Sequence, residues 1–183
     1  MNSDEIYQYL RTYVPFYSFS FTCAIFAKAA YTQSNDEWAS VSKEWAKDGS
    51  CVTDETMVFV NEITKAVIIS FRRSVTREDW LHSDVSILLG REGKSSRFLR
   101  SYALYKKVRK KYKGYVFVTT GHSLGGALAI YVAIRSNRNE NTKTACHAFN
   151  PGTGLSFINK YTNKCSSGSC GEIHLYTTGV DVV

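Results

Sequence analysis

The chain has 183 residues, is 44% hydrophobic and 21% charged, contains only two prolines, and carries a formal net charge of +7. This is a one-domain length with ordinary globular composition, which excludes a disordered tail or a collagen-like repeat and leaves enough chain to bury a core. The charge is uneven: Arg91 to Lys113 holds ten Lys or Arg against Glu92 alone, so any case for an acidic partner rests on that stretch.

The N-terminus, Met1-Asn2-Ser3-Asp4-Glu5, is acidic where a secretory signal is basic. The longest clean apolar run, Ala127 to Ile134, falls well short of the roughly 18 residues of a membrane span. A cytoplasmic location is therefore the default expectation. Phe21 to Tyr31 reads as a buried, Ala-rich helix. Thr56–Val60 and Lys65–Ser70 read as two strands joined by a polar turn at Asn61 to Thr64. Phe98, Tyr102, Tyr105, Val108 and Tyr112 recur at helical spacing and form one apolar stripe, with the basic residues on the other faces and Gly114 ending the helix. Tyr115–Thr119 reads as a strand and Leu124–Ser136 as a helix. Thr144–Phe149 and Glu172–Tyr176 read as further strands, the first closed by Asn150-Pro151-Gly152. Strand and helix in alternation predict an α/β sheet with parallel strands and helical crossovers.

Five cysteines, Cys23, Cys51, Cys146, Cys165 and Cys170, leave at least one unpaired, and thiols are the expectation. Cys165 and Cys170 could close a small disulfide loop or supply two thiolates. Two ligands are half a zinc site, and no metal is expected.

The strongest chemical feature is Gly121-His122-Ser123-Leu124-Gly125-Gly126, which contains G-x-S-x-G directly between an apolar strand and an apolar helix. That context predicts a nucleophile elbow. A sharp strand-to-helix turn holds Ser123 in a strained backbone, and glycines two residues either side let the chain turn that tightly. The N–H of Leu124, at a helix N-terminus, points to the same spot and is the expected oxyanion donor.

Thr120 to Ala129 closely resembles the elbow of the class 3 lipases, the fungal-lipase-like branch of the α/β-hydrolases. Val67-Ile-Ile-Ser-Phe-Arg-Arg-Ser74 resembles that family's oxyanion strand, which ends F-R-G-[ST], and Asp79-Trp80 and Asp84 follow as the family's D-W…D does. The resemblance covers about residues 20 to 183. It implies an α/β-hydrolase fold with a mostly parallel central sheet and flanking helices, as a single domain over 1–183. It also implies hydrolysis of carboxylic esters of acylglycerols or phospholipids by a Ser-Asp-His triad, with no cofactor. By the same resemblance Ser74 is the second oxyanion donor and Val75 to Gly90 occupies the place of the lid.

Asp181 is the single Asp after Ser123. It follows a predicted strand and a short turn, and is the expected triad acid. Triads of this fold run Ser, Asp, His in chain order, and only Val182 and Val183 follow Asp181. His122 lies inside the elbow, His147 and His174 lie in strands, and His82 lies in the lid-like stretch, so structural or surface roles are expected for all four. The expectation is a domain whose C-terminal, His-bearing segment is absent. Two further departures are Arg73 in place of the Gly in F-R-G-[ST], and Ser95-Ser96-Arg97-Phe98 in place of the family's H-x-G-F.

Lys106, Lys107, Arg109, Lys110, Lys111 and Lys113 form either a solvated helix face or a contact for an anionic membrane. No nucleic-acid signature accompanies them. The leading expectation is a serine esterase or lipase acting on lipid esters. The alternative is a catalytically inactive lipase-like protein that binds lipid or a partner.

Overall fold

The alternating pattern becomes one six-stranded sheet with helices on both faces in a computed structural model, which describes residues 15–32, 36–39, 43–72, 96–140, 142–152 and 171–177. The helices are α1 (Pro15–Thr32), α2 (Asp36–Ala39), α3 (Ser96–Lys111) and α4 (Leu124–Asn139). The strands are β1 (Trp45–Lys47), β2 (Thr56–Asn61), β3 (Ala66–Phe71), β4 (Val116–His122), β5 (Ala145–Phe149) and β6 (Ile173–Tyr176). Their spatial order follows the chain. β1, β2 and β3 pair antiparallel, while β3 to β6 are parallel. The mostly parallel sheet with flanking helices is the expected fold class.

The sheet is buried on both faces, so its strands are nearly continuously apolar rather than alternating. The alternation survives in which helix each side chain meets. Val58, Val60, Val67, Ile69 and Phe71 pack with the α3 and α4 residues Phe98, Tyr105, Leu128 and Ile130. Met57, Phe59 and Ile68 point to the opposite face, with Cys23, Phe26 and Ala30 of α1. There Phe26 stacks on Phe59 at 4.0 Å and meets Trp45 edge-on at 5.4 Å. The small residues of α1 let it sit close to the sheet. Ser70 Oγ donates to the Phe26 carbonyl (2.8 Å) and Thr120 Oγ1 to the Cys23 carbonyl (3.1 Å).

The β2–β3 hairpin turns where expected. Asn61 Oδ1 accepts the N–H groups of Ile63 and Thr64 at 3.0 and 2.9 Å, an Asx turn. The apolar stripe of α3 faces the core as its spacing predicts, with Phe98, Tyr102, Tyr105 and Val108 buried. α3 runs antiparallel to β4, so its basic C-terminal turn lies at the amino edge of the parallel strands, and Gly114, at φ 84°, reverses the chain into β4. The sequence reading starts α1 at Phe21 rather than Pro15 and leaves out α2 and β1. β1 is a three-residue edge strand with no alternation to find, and β4 runs on through Gly121 and His122, carrying the backbone to the carboxyl edge.

Candidate active site

Ser123 stands between the last residue of β4 and the first of α4 with φ 53° and ψ −127°. A non-glycine residue held there costs about 1–3 kcal/mol and persists only where its surroundings over-determine it. Three main-chain hydrogen bonds do so. The Ser123 N–H donates to the Phe149 carbonyl at the end of β5 (3.0 Å). The Ser123 carbonyl accepts the N–H of Ala127 and that of Gly152, both at 3.1 Å. The glycines either side act by close approach. A Cβ on Gly121 would lie 2.4 Å from the Gly125 carbonyl, and one on Gly125 would lie 2.2 Å from the Phe71 oxygen. Gly126 is tight as well, with Gly121 O and Pro151 each 3.2 Å from its added Cβ. The first turn of α4 thus rests on the ends of β3 and β4, backbone against backbone.

The Ser123 hydroxyl is half-buried and makes no side-chain cap to α4. The N–H of Leu124 opens that helix, where the first turn has no intrahelical acceptor and the helix dipole is positive. Gly152, which the sequence marked only as part of a turn, passes over this spot. A Cβ added to it would lie 3.6 Å from Leu124 N and 3.8 Å from Ser123 Oγ. The Ser123 hydroxyl and the Leu124 N–H thus lie under the same glycine.

The described histidines lie elsewhere. His122 packs edge-on against Tyr31 (5.8 Å), whose hydroxyl donates to the His122 carbonyl (2.6 Å). Both residues border a cavity of about 310 Å³ with Ala24, Ala27, Lys28 and Phe149. His147 is 4% exposed and sits two residues below the end of β5. Its Nδ1 is 3.0 Å from the Tyr176 hydroxyl, which is 2.7 Å from Ser20 Oγ. Burial, and secondarily the charge of His174 stacked on it at 4.7 Å, lowers its pKa to about 4. His174 Nε2 pairs with Glu172 at 3.1 Å. No described histidine is a hydrogen-bond partner of Ser123. Ser74, Arg73, His82, Asp181, Cys165, Cys170 and the lid-like stretch lie outside the described residues. Cys23, Cys51 and Cys146 are buried free thiols. Among the described residues no cluster of His, Cys, Asp or Glu could hold a metal ion, and no helix is long and apolar enough to cross a membrane.

Two of the six expected surface cations serve the fold. Arg109 pairs with Glu140, and Lys111 donates to Asp48 Oδ2 at 2.7 Å. Burial raises the Asp48 pKa, but hydrogen bonds from Lys111, Tyr112 and Ser50 outweigh it and hold the carboxyl well below its usual range. Lys107, Lys110 and Lys113 form no ion pair among the described residues. Lys106, Lys110, Lys113 and Lys143 line an open groove of about 710 Å³ beside the start of β4, at the opposite edge of the sheet from Ser123.

A strained serine between a parallel strand and a helix, on a sheet covered on both faces, defines the α/β-hydrolase fold as lipases carry it. A triacylglycerol lipase from Penicillium expansum matches with a TM-score of 0.56 at 16% identity, over 87% of this chain and 68% of that one. A fungal lipase in complex with an inhibitor matches with a TM-score of 0.55 at 18% identity, over 96% and 72%. The Rhizomucor miehei lipase, at 18% identity and a TM-score of 0.49, is matched over 82% of this chain, which spans about half (53%) of that one. No curated protein matches the chain in sequence. Residues 25–176 match the model of the phospholipase-like family, described as the Tle-like phospholipase domain, and the chain belongs to that family. The class 3 lipase resemblance read from the elbow and the oxyanion strand thus holds in fold and lineage.

Proposed function

We propose that the chain is a serine carboxylic-ester hydrolase acting on lipid esters, of acylglycerols or phospholipids, through an acyl-enzyme. Ser123 Oγ attacks the ester carbonyl and gives its proton to a histidine base, a role that the described His122, His147 and His174 do not fill. The oxyanion is received by the N–H of Leu124 and by Ser74. The alkoxide leaves with the proton from the histidine, and water repeats the sequence on the acyl-enzyme. Asp181 orients the base and stabilises its charged form. The carrying observation is the conformation of Ser123, φ 53° and ψ −127°, held by three main-chain bonds beside the first N–H of α4. The family's phospholipase name and the lipase titles of the similar structures support a lipid ester as substrate.

Contact with an anionic membrane through Lys106, Lys107, Arg109, Lys110, Lys111 and Lys113 is part of the same proposal, in restricted form. Arg109 and Lys111 are committed to Glu140 and Asp48. The others sit at the amino edge, and β4 separates that edge from Ser123 by about 20 Å at strand rise. Such contact would anchor the protein without presenting Ser123 to the same patch of bilayer.

A second reading, a lipase-like binding protein without catalysis, is favoured by one observation: no described histidine meets Ser123. Fluorophosphonate labelling read by intact mass, beside Ser123→Ala, decides between them. Labelling of the chain and none of the variant supports the hydrolase. No labelling of either supports the binding protein.

A further inference from the structure

We propose that Arg97, held by Glu55, is a positioning residue for the oxyanion strand. The inference rests on the hydrolase reading above. β3 ends at Phe71, and Arg72 is the last described residue before the stretch that contains Ser74. Both main-chain groups of Arg72 are held from outside its own strand. Its N–H donates to the Glu55 carbonyl at 3.0 Å, and its carbonyl accepts from Arg97 Nη2 at 2.7 Å. Arg97 Nε in turn lies 3.6 Å from Glu55 Oε1, an ion-pair distance without a hydrogen bond, and Arg100 Nη2 donates to the same oxygen at 3.4 Å. Glu55 therefore acts on Arg72 twice, by its own carbonyl and by placing its charge beside the guanidinium that holds the Arg72 carbonyl. The Arg72 side chain adds two anchors, to the carbonyls of Asp54 and Tyr31.

The position of this clamp gives it meaning for the chemistry. One residue earlier, the Phe71 carbonyl lies against Gly125 so closely that no Cβ fits between them. The clamped strand end therefore abuts the turn that presents the Leu124 N–H. Two residues later in the sequence comes Ser74, the other proposed donor. Both donors must stand about 3 Å from one oxygen, and displacing a catalytic group by about 1 Å costs up to about a hundredfold in rate. Arg97 opens α3 in the stretch that departs from the H-x-G-F pattern, where that pattern has glycine. A guanidinium holds a donor on the Arg72 carbonyl while its delocalised charge stays beside the Glu55 carboxylate. An ammonium would keep the charge and lose the geometry.

The test compares the full chain with Arg97→Lys, Arg97→Ala and Glu55→Gln. Phosphonylation of Ser123 by a fluorophosphonate, with loss of fluoride, is split into inhibitor affinity and maximal rate, and near-UV circular dichroism confirms that each protein is folded. The expected result is a maximal rate about tenfold to a hundredfold lower for both Arg97 variants, with affinity within about twofold, and a smaller rate loss for Glu55→Gln. Arg97→Lys keeps the test valid if Arg97→Ala does not fold. Wild-type rate in Arg97→Lys, or a loss confined to affinity, overturns the inference alone. A wild-type chain that does not react overturns the hydrolase reading and the inference with it.

Discussion

Gly152→Ala isolates the space above the proposed nucleophile. The added methyl would lie 3.6 Å from Leu124 N and 3.8 Å from Ser123 Oγ, ordinary van der Waals distances that require no atom of the protein to move. Gly152 does not occupy the left-handed region, so alanine is conformationally allowed, and its N–H still reaches the Ser123 carbonyl. Stability should therefore hold or rise by about 0.4–1 kcal/mol through the unfolded chain, which raises Tm by no more than about 4 °C at this size. The reacting ester is affected differently. Its carbonyl carbon must come within about 3–3.5 Å of Ser123 Oγ, and its oxygen within about 3 Å of Leu124 N. The methyl takes a share of that volume. Losing one oxyanion donor outright costs about 10²–10³, so crowding it should cost about tenfold to a hundredfold in kcat/KM, or about 1.4–2.7 kcal/mol. The assay is hydrolysis of a short-chain p-nitrophenyl ester beside thermal unfolding, with Ser123→Ala as the inactive reference. Wild-type kcat/KM in Gly152→Ala would refute the placement of the ester carbonyl over this turn.

Gly125→Ala is the opposite case. Its methyl would sit 2.2 Å from the Phe71 oxygen, so backbone must shift, and thermal unfolding should show a loss of about 1–3 kcal/mol or more; an unchanged Tm contradicts the close packing of α4 on β3. His147 is held to a pKa of about 4, firstly by burial, against about 6.5 unfolded. The unfolded chain then binds a proton that the folded chain refuses, so stability should fall by about 3 kcal/mol as pH drops from 6.5 to 4. Urea unfolding across that window should show the fall flattened in His147→Leu. Asp48 has its folded pKa depressed below the usual 3.8, so its contribution is present above about pH 4 and lost as pH falls through the folded value. Asp48→Asn should therefore cost about 1–3 kcal/mol at pH 7, with the gap to wild type closing below pH 4 in the same experiment.

Much of this molecule was legible because its signals are local. The elbow is one, since Gly121, Ser123 and Gly125 stand at a fixed spacing between two apolar runs. Phe98, Tyr102, Tyr105 and Val108 are another, because helical periodicity alone selects the buried face. The Asn61 turn follows from the chemistry of one side chain. β1 was not legible, because three residues at a sheet edge carry too little pattern to distinguish from loop. Gly152 was visible only as part of a turn, and Arg97 only as a departure from a resembled family, both without a role.

The amino-acid sequence by itself determined the fold class, the lineage and the identity of the strained serine, because backbone geometry and hydrophobic period act between near neighbours in the chain. It also showed that six cations cluster in eight residues, Lys106 to Lys113. Only the tertiary structure decided that two of them hold Glu140 and Asp48 while the rest face away from Ser123. It alone brought Glu55, Arg72 and Arg97 together, and set Gly152 over the Leu124 N–H. Those are contacts between residues 17 to 42 positions apart, or across a turn whose path local sequence does not specify. They arise from how β3 and α4 pack, and no periodicity in the chain records them.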